Sequence, residues 1–315
     1  MKFKILDSTE KDTPFLSLTL LIIGIIVLSF QDALIKLYSP ETSFWQIQTL
    51  RSFFNLFFLI FLAQLTIGIN SLKPINWKPV YIRGFVMTCC MFCFFSGSPT
   101  LSVSQMAAGL YTFPLFVTIL AFFLTNEIIG RWRIFALIMG LLGASLVLEP
   151  WSEEFTLLQT LPVLAGFFYA INIILIRQYC RKESPISLTF AVGVMFFISG
   201  GTGIILLENV FDLDKFILNM PFVTVGWPHL TLGVFIFAIC CSILNLIGNL
   251  SLSKAYQNAE SSWLAPIDYS YLLFACIWGK IIFNTWPNNI NLLGIFLIAL
   301  GGIVIAYREK IRRVA

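Results

Sequence analysis

The sequence predicts an all-α integral membrane protein of ten transmembrane helices, arranged as two inverted five-helix repeats. Three observations carry that prediction. Apolar residues fill 58% of the 315 positions and charged residues only 11%, with a mean hydropathy of +0.88. A soluble domain carries about 25% charged residues, so lipid must be the main solvent. Ten stretches approach the roughly 20 apolar residues needed to cross about 30 Å of hydrocarbon. The basic residues then fall in alternate connections, as the retention of positive loops in the cytoplasm requires.

In chain order the expected spans are 15–37, 43–66, 79–98, 102–125, 132–149, 157–177, 186–207, 230–252, 259–281 and 289–307. A short segment, 1–14, precedes them and a basic tail, 308–315, follows. The first stretch is long for a signal peptide, which has a shorter core and a small-residue cleavage site. It ends instead in Gln31, Asp32, Ala33 and Lys36, so it reads as a retained helix. Spans three and four are separated only by the uncharged turn from Ser96 to Ser102. The link 208–229 mixes Phe, Trp, Pro and Asp, a composition suited to an interfacial segment over the external face.

With both termini in the cytoplasm, the cytoplasmic segments hold 16 of the 20 Lys and Arg residues. The opposite face keeps Lys36, Lys215 and Lys280 beside the acidic Glu149, Glu153, Glu154, Glu208, Asp212 and Asp214. Removing one helix would invert half the loops and destroy this asymmetry. The net charge of +4 follows the topology and is not gathered on one soluble face, which excludes a nucleic-acid footprint.

Short matches recur in order along the chain. Cys89-Cys90 corresponds to Cys240-Cys241, Leu101-Ser-Val-Ser104 to Leu250-Ser-Leu-Ser253, Pro114 to Pro266, and more loosely Ser39-Pro40 to Ser184-Pro185. They define a first repeat over 15–149 and a second over 157–307. Five spans per repeat place the second upside down relative to the first. Many secondary transporters are built this way, with solute bound near the midplane between the halves.

Seven cysteines are present, and Cys89, Cys90 and Cys93 cluster. The sole histidine, His229, lies far away in a loop, and no second thiol pair has metal-ribbon spacing. These read as packing thiols, with no metal and no cofactor expected. No GxxxxGK[ST] phosphate loop occurs, so energy would come from a proton gradient, a counter-solute or neither.

Charges inside a membrane mark function by default, and three stand out. Asp32 lies roughly 8 Å from the outer end of helix one, Arg51 roughly 12 Å into helix two, and Asp268 roughly 14 Å into helix nine, near the midplane. Asp32 and Arg51 could meet, either as a static lock or as part of a site; Asp268 is the stronger substrate or proton candidate. Lys36 and Lys280 sit nearer helix ends, where they can snorkel.

A polar and aromatic set surrounds these charges. Trp45, Gln48 and Ser52 share a face of helix two; Tyr111 and Phe113 come from helix four, Tyr169 and Asn172 from helix six, Asn245 and Asn249 from helix eight, and Trp263 and Tyr271 from helix nine. Aromatics stack on flat or cationic groups and amides orient polar ones, which suits a planar or zwitterionic metabolite. A plainer reading takes each amide as interhelical glue. Pro114 and Pro266 stand mid-helix in matching spans, where proline kinks a helix and points to the site region. The glycine clusters at Gly140 and Gly143, at Gly200, Gly201 and Gly203, and at Gly301 and Gly302 read as packing features.

The chain resembles the EamA-type transporters of the drug/metabolite transporter superfamily. The resemblance covers nearly all of it. AESSWLAPIDYSYLLFACIWGK is similar to the family's helix nine, with Pro266, Asp268 and Tyr269 in place, followed by the Trp286-Pro287 turn and the Gly294 to Gly301 run. QDALIKLYSPETSFWQIQTLRSFF is similar to its Asp, Lys and helix-two Arg arrangement, here Asp32, Lys36 and Arg51. FFLTNEIIGRW resembles the loop after helix four, with Glu127; in the second half the matching glutamate is absent and Lys280 stands nearby.

What the resemblance implies is a secondary carrier for a small metabolite in a bacterial inner membrane, nearest to members that take up S-adenosylmethionine or riboflavin-like solutes. Amino-acid or metabolite export is the alternative within the superfamily. A membrane-embedded transferase is a remote one, because such chemistry uses paired aspartates on a metal or a histidine base. The partners expected are therefore the metabolite, the bilayer and a proton or counter-solute. A homodimer is compatible with the sequence but unsupported by it.

Overall fold

In the computed structural model the described residues are 14–66, 68–125, 131–153, 155–180, 183–209, 221–258, 264 and 267–314. Among them the secondary structure is entirely helical: α1 Pro14–Tyr38, α2 Phe44–Leu65, α3 Trp77–Ser96, α4 Val103–Leu110, α5 Phe113–Thr125, α6 Arg131–Leu148, α7 Leu161–Tyr179, α8 Pro185–Asn209, the single turn α9 Pro221–Thr224, α10 Leu232–Asn258, α11 Ser270–Phe283 and α12 Asn289–Val314. Short 3-10 turns, Ile69–Leu72 and Leu157–Thr160, precede α3 and α7. Seven helical stretches are long and apolar enough to cross a membrane, while Ile134–Leu148, Ser270–Phe283 and Asn289–Val304 are apolar but shorter. Among the described residues, length and composition thus match seven of the ten expected crossings, and the protein is a multi-pass membrane protein.

The helices begin where the sequence supplies caps. The Ser43 hydroxyl accepts from Gln46 N–H at the head of α2, and Ser102 and Gln105 form a reciprocal capping box at α4. Ser184 accepts from Ser187 N–H ahead of Pro185, the first residue of α8. Such side chains satisfy amides that a helix start leaves unpaired.

The span expected over 102–125 is interrupted at Tyr111 and Thr112. Pro114 therefore stands in the first turn of α5, where its missing N–H costs nothing, and not inside a continuous helix where its ring would clash with the carbonyl four residues earlier. The result is a break and not a kink. Pro266, its counterpart, lies outside the described residues, as do Trp263 and Glu127.

The main helix pairs all cross between the two halves. α1 packs on α10 and α7 on α3; α2 packs on α8, α4 on α11 and α6 on α12. Exchanging the first-half helices for their second-half equivalents leaves this set unchanged. Secondary pairs obey the same exchange: α1 with α11 matches α7 with α4, and α2 with α10 matches α8 with α3.

The hydrogen bonds between ends show which way the equivalent helices run. At the start of α2, Ser43 donates to Gly226 O at 2.7 Å, Trp45 to Val223 O at 2.7 Å and Gln46 to Pro228 O at 2.8 Å, all in the connection that follows α8. At the start of α8, Ser184 donates to Ser71 O at 3.2 Å, and Glu183 accepts from Ile75 N–H and Asn76 N–H, in the connection that follows α2. α2 and α8 are therefore antiparallel, and the repeat is inverted. The structural equivalent of Ser184 is Ser43, the other capping serine, and not Ser39 as the short sequence match suggests. Similarly, Leu250-Ser-Leu-Ser253 lies inside α10 whereas Leu101-Ser-Val-Ser104 spans the cap of α4, so that match aligns different local structures.

The surface is apolar and the interior is mixed. Phe53, Phe57, Phe61, Leu141 and Phe296 are exposed while Gln46, Gln48, Arg51 and Ser52 of α2 are buried, the pattern expected where lipid is the solvent. Helix pairing then relies on close approach. A Cβ built on Gly143 would stand 2.6 Å from Gly294 O, and one on Gly294 would stand 2.7 Å from Gly143 O, so α6 and α12 touch through backbone. Gly201 meets open space. Gly143→Val is expected to cost about 1–3 kcal/mol by overpacking and lower the thermal midpoint in detergent, whereas Gly201→Ala should leave it unchanged or slightly raised. Equal midpoints for wild type and Gly143→Val would contradict the backbone contact.

Candidate functional site

The centre of the bundle is organised around Asp32. It sits in α1 with Gln31, the only polar pair in an otherwise apolar run from Ile22 to Leu28 and on to Ala33 apart from Gly24 and Ser29. Its Oδ2 accepts from the Tyr271 hydroxyl of α11, and its Oδ1 from Gln31 Nε2 at 3.2 Å. Tyr271 is stacked on Tyr111, with ring centroids 5.2 Å apart and planes at 21°. Tyr111 also meets Tyr269 edge-on at 5.5 Å and Phe113 at 5.9 Å, and Phe113 meets Tyr169 at 4.9 Å. A continuous aromatic path thus runs from α11, through the break between α4 and α5, to α7.

The break is part of this construction. Tyr111 and Phe113 flank it, and the Tyr111 hydroxyl donates to Asp268 O at 3.2 Å, at the head of α11. The Asp268 carboxylate is half-buried and within electrostatic reach of Tyr169 and Tyr269. Gly302 of α12 lies against the Tyr269 ring, where any side chain would collide.

A second polar group lines α2. Gln48, Arg51, Ser52 and Asn55 recur at spacings of three and four, so they share one face, and all four are buried. Arg51 Nη2 donates to Gln48 Oε1 at 3.0 Å, and its guanidinium lies over the Phe196 ring of α8 at 5.9 Å. Ser242 of α10 donates to Arg51 O at 2.9 Å, and Asn55 Nδ2 to Asn245 Oδ1 at 3.2 Å. Several buried atoms here have no hydrogen-bond partner: Gln48 Nε2, Arg51 Nε, Ser52 Oγ, Asn55 Oδ1, Asn172 Oδ1 and Gln31 Oε1. Buried polar groups are paired in roughly nine cases of ten, so this concentration sets the region apart.

The structure thus gathers Asp32, Tyr111, Phe113, Tyr169, Tyr271 and the Asp268 backbone in one cluster and Gln48, Arg51 and Asn245 in another. Asn172 is buried on α7, one turn beyond Tyr169. Trp45 stands apart, bonded to Val223 at the start of α2 and packed against Gly203. Asn249 donates to Asn245 O of its own helix at 2.9 Å. Lys36 does not snorkel freely; its ammonium donates to Ser98 O at 2.7 Å and lies 5.3 Å over the Phe283 ring. Lys280 is exposed and donates to Asn284. Cys90 donates to Ala165 O, and no group of metal-ligating residues occurs among the described residues.

Gln31, Asn55, Ser242 and Phe196 join the site without having been proposed for it from the sequence, and Tyr269, noted there only within the family-like pattern, joins it too. Asn55 was legible as the next step of the Gln48, Ser52 stripe, and Gln31 as a neighbour of Asp32. Nothing distinguishes Phe196 among 32 phenylalanines.

The model of the EamA-like transporter family matches residues 15–149 and again residues 158–307. A riboflavin transporter of Vibrio cholerae is 29% identical over 198 residues, 62% of this chain and 60% of that protein's length. An S-adenosylmethionine uptake transporter of Rickettsia bellii is 26% identical over 293 residues, 92% of each chain. An uncharacterized transporter of Helicobacter pylori is 24% identical over 242 residues, 76% of each. One solved structure, titled only as the crystal structure of a protein, superposes with a TM-score of 0.58 at 16% identity over 93% of this chain and 99% of that one, which shows the same fold.

The Asp32–Tyr271 bond joins the halves inside the membrane region. Hydrogen bonds to charged groups contribute about 1.5–3 kcal/mol. A double-mutant cycle of Asp32→Asn and Tyr271→Phe, read by thermal stability, should show coupling of that order; strict additivity would mean that the bond is not formed.

Proposed function

The chain belongs to the EamA-like transporter family, and from that premise we propose that it carries a cationic or zwitterionic metabolite with a flat ring, of the S-adenosylmethionine type, across the bacterial inner membrane by alternating access. As a member of the drug/metabolite transporter superfamily it is a secondary transporter of small metabolites. The observation that carries the finer reading is the Asp32 carboxylate held by Tyr271 at the edge of a tyrosine stack. A flat base can lie on such rings, and a cationic centre can approach the carboxylate beside them. A neutral flavin would use the rings but leave the carboxylate unanswered.

The similarity to S-adenosylmethionine uptake transporters over nearly the whole chain supports this choice. In this reading all ten helical stretches cross the membrane, residues 15–149 and 157–307 are the two repeats, and both termini are cytoplasmic. The segregation of basic residues and the antiparallel pairing of α2 with α8 support that arrangement. Asp268, beside Tyr169 and Tyr269, is the second carboxylate of the pathway. Transport is driven by a proton gradient or by exchange against a counter-solute.

Uptake of labelled S-adenosylmethionine into proteoliposomes, with riboflavin and amino acids as competitors, tests the reading. Asp32→Asn and Asp268→Asn are each expected to lower uptake by about tenfold or more, equivalent to about 1.4 kcal/mol of lost interaction, while the protein still folds. Uptake of riboflavin alone, or undiminished transport by both variants, would overturn it.

A further inference from the structure

Two charges of opposite sign, the buried Arg51 and the partly buried Asp32, lie within the bundle, and they are not paired with each other. Asp32 and Arg51 lie within electrostatic reach, yet among the described residues no hydrogen bond or ion pair joins them. Asp32 is instead satisfied by the neutral Tyr271 and Gln31, and Arg51 by the neutral Gln48. In a medium of low dielectric, opposite charges attract strongly and intramembrane charges ordinarily close on one another. Here both are held back. Ser242 fixes the Arg51 backbone, Phe196 covers the guanidinium face and Cys241 lies beside it on α10.

The unpaired atoms nearest the two charges differ in polarity, while Ser52 Oγ and the acceptor Asn55 Oδ1 lie unpaired on the same face of α2. Beside the cation are two donors without acceptors, Arg51 Nε and Gln48 Nε2; beside the anion is an acceptor without a donor, Gln31 Oε1. Gln48 and Arg51 are only 1% and 2% exposed, so bulk solvent does not answer them. A donor-rich cation facing an acceptor-rich anion, with neither closed on the other, is complementary to a molecule carrying the reverse pair of charges.

We propose that Asp32 and Gln31 of α1 together with Arg51 and Gln48 of α2 form a bipolar receptor for the amino-acid end of the transported solute, with its α-carboxylate on Arg51 and Gln48 and its α-ammonium on Asp32 and Gln31. This rests on the reading above that the solute binds in this centre, and it narrows the cargo to metabolites that keep both a free α-amino and a free α-carboxyl group. The flat remainder of such a solute lies toward the tyrosines. Guanidinium and amide donors in a dry site suit a carboxylate because the charge-assisted bonds they form are short and strong.

Equilibrium binding to the purified full chain tests the assignment with matched ligands. S-adenosylmethionine and S-adenosylhomocysteine both keep the amino-acid end, whereas decarboxylated S-adenosylmethionine lacks the carboxylate. The wild type should bind the decarboxylated compound about 10- to 100-fold more weakly. Arg51→Gln should weaken the two carboxylated ligands by that factor and leave the decarboxylated one within about twofold. Gln48→Glu, nearly isosteric and closer to the wild-type fold, should do the same by neutralising Arg51 and repelling the carboxylate.

Methionine compared with its decarboxylated amine separates this inference from the functional reading. Failure of every adenosyl compound, together with preference for methionine over the amine, would remove the nucleoside cargo and retain the bipolar site. No preference for the carboxylated ligand in either pair, or equal losses for both ligands in the variants, would overturn the inference.

Discussion

The antiparallel contact of α2 with α8 sets the relation between the two halves, and each end of it is held by the same device. A serine that caps one helix of the pair accepts from its own first turn and donates to a carbonyl beyond the end of the other helix: Ser43 to Gly226, and Ser184 to Ser71. One hydroxyl thus satisfies an orphan helix amide and an orphan loop carbonyl together. Where water is scarce this economy has force, because backbone polar groups must find partners within the protein. Once α2 and α8 run oppositely, the inverted order of the remaining helices follows from chain connectivity, and the other cross-half pairs fall into their exchanged positions.

That scaffold explains why the polar residues concentrate where they do. Helices in lipid gain nothing from hiding apolar side chains from one another, so peripheral pairs such as α6 with α12 are held by glycine-mediated backbone contact and turn their large apolar residues outward. The polar stripe of α2 and the Gln31–Asp32 step of α1 face inward instead, against α8, α10 and α11. Burying a charge without a partner is strongly unfavourable. Neutral hydrogen-bonding groups at Gln48, Gln31 and Tyr271 reduce that cost while leaving both charges unneutralised. The aromatic path at the break between α4 and α5 depends on this centre, since Tyr271 both bonds Asp32 and stacks on Tyr111.

Much of this was legible in the residues. Apolar length located the helical stretches, and alternating loop charge, with ordered short repeats, indicated an inversion that the α2–α8 hydrogen bonds bear out. Asp32 and Arg51 were conspicuous because charge is rare in such helices. What could not be read was of two kinds. Rotation of one helix against another decides whether Trp45 faces Gln48's neighbours or the turn at Val223, and a three-residue spacing cannot distinguish these. Interactions between distant segments also have no local signature: Phe196 under Arg51, or Ser242 on the Arg51 carbonyl, come from 145 and 191 positions away. The break at Tyr111 and Thr112 was indicated by Pro114 but displaced one turn upstream, because proline disturbs the residues before it more than those after.

The symmetry of the frame and the asymmetry of its contents have different consequences. The capping serines are 141 positions apart. Applied along the same two helices, that interval carries Arg51 onto Val192 and Gln48 onto Thr189, so the guanidinium and its amide have no twin in α8. Frame contacts that exchange under the pseudo-twofold make the two ends of the bundle energetically similar, which is what alternating exposure needs. A charge pair without a symmetric copy does the opposite and gives the centre a polarity. If the solute binds there as proposed, one with two unlike ends has one favoured orientation, whichever end of the bundle is open. On the proposed reading, the inverted repeat supplies two nearly equivalent routes to a single, oriented site.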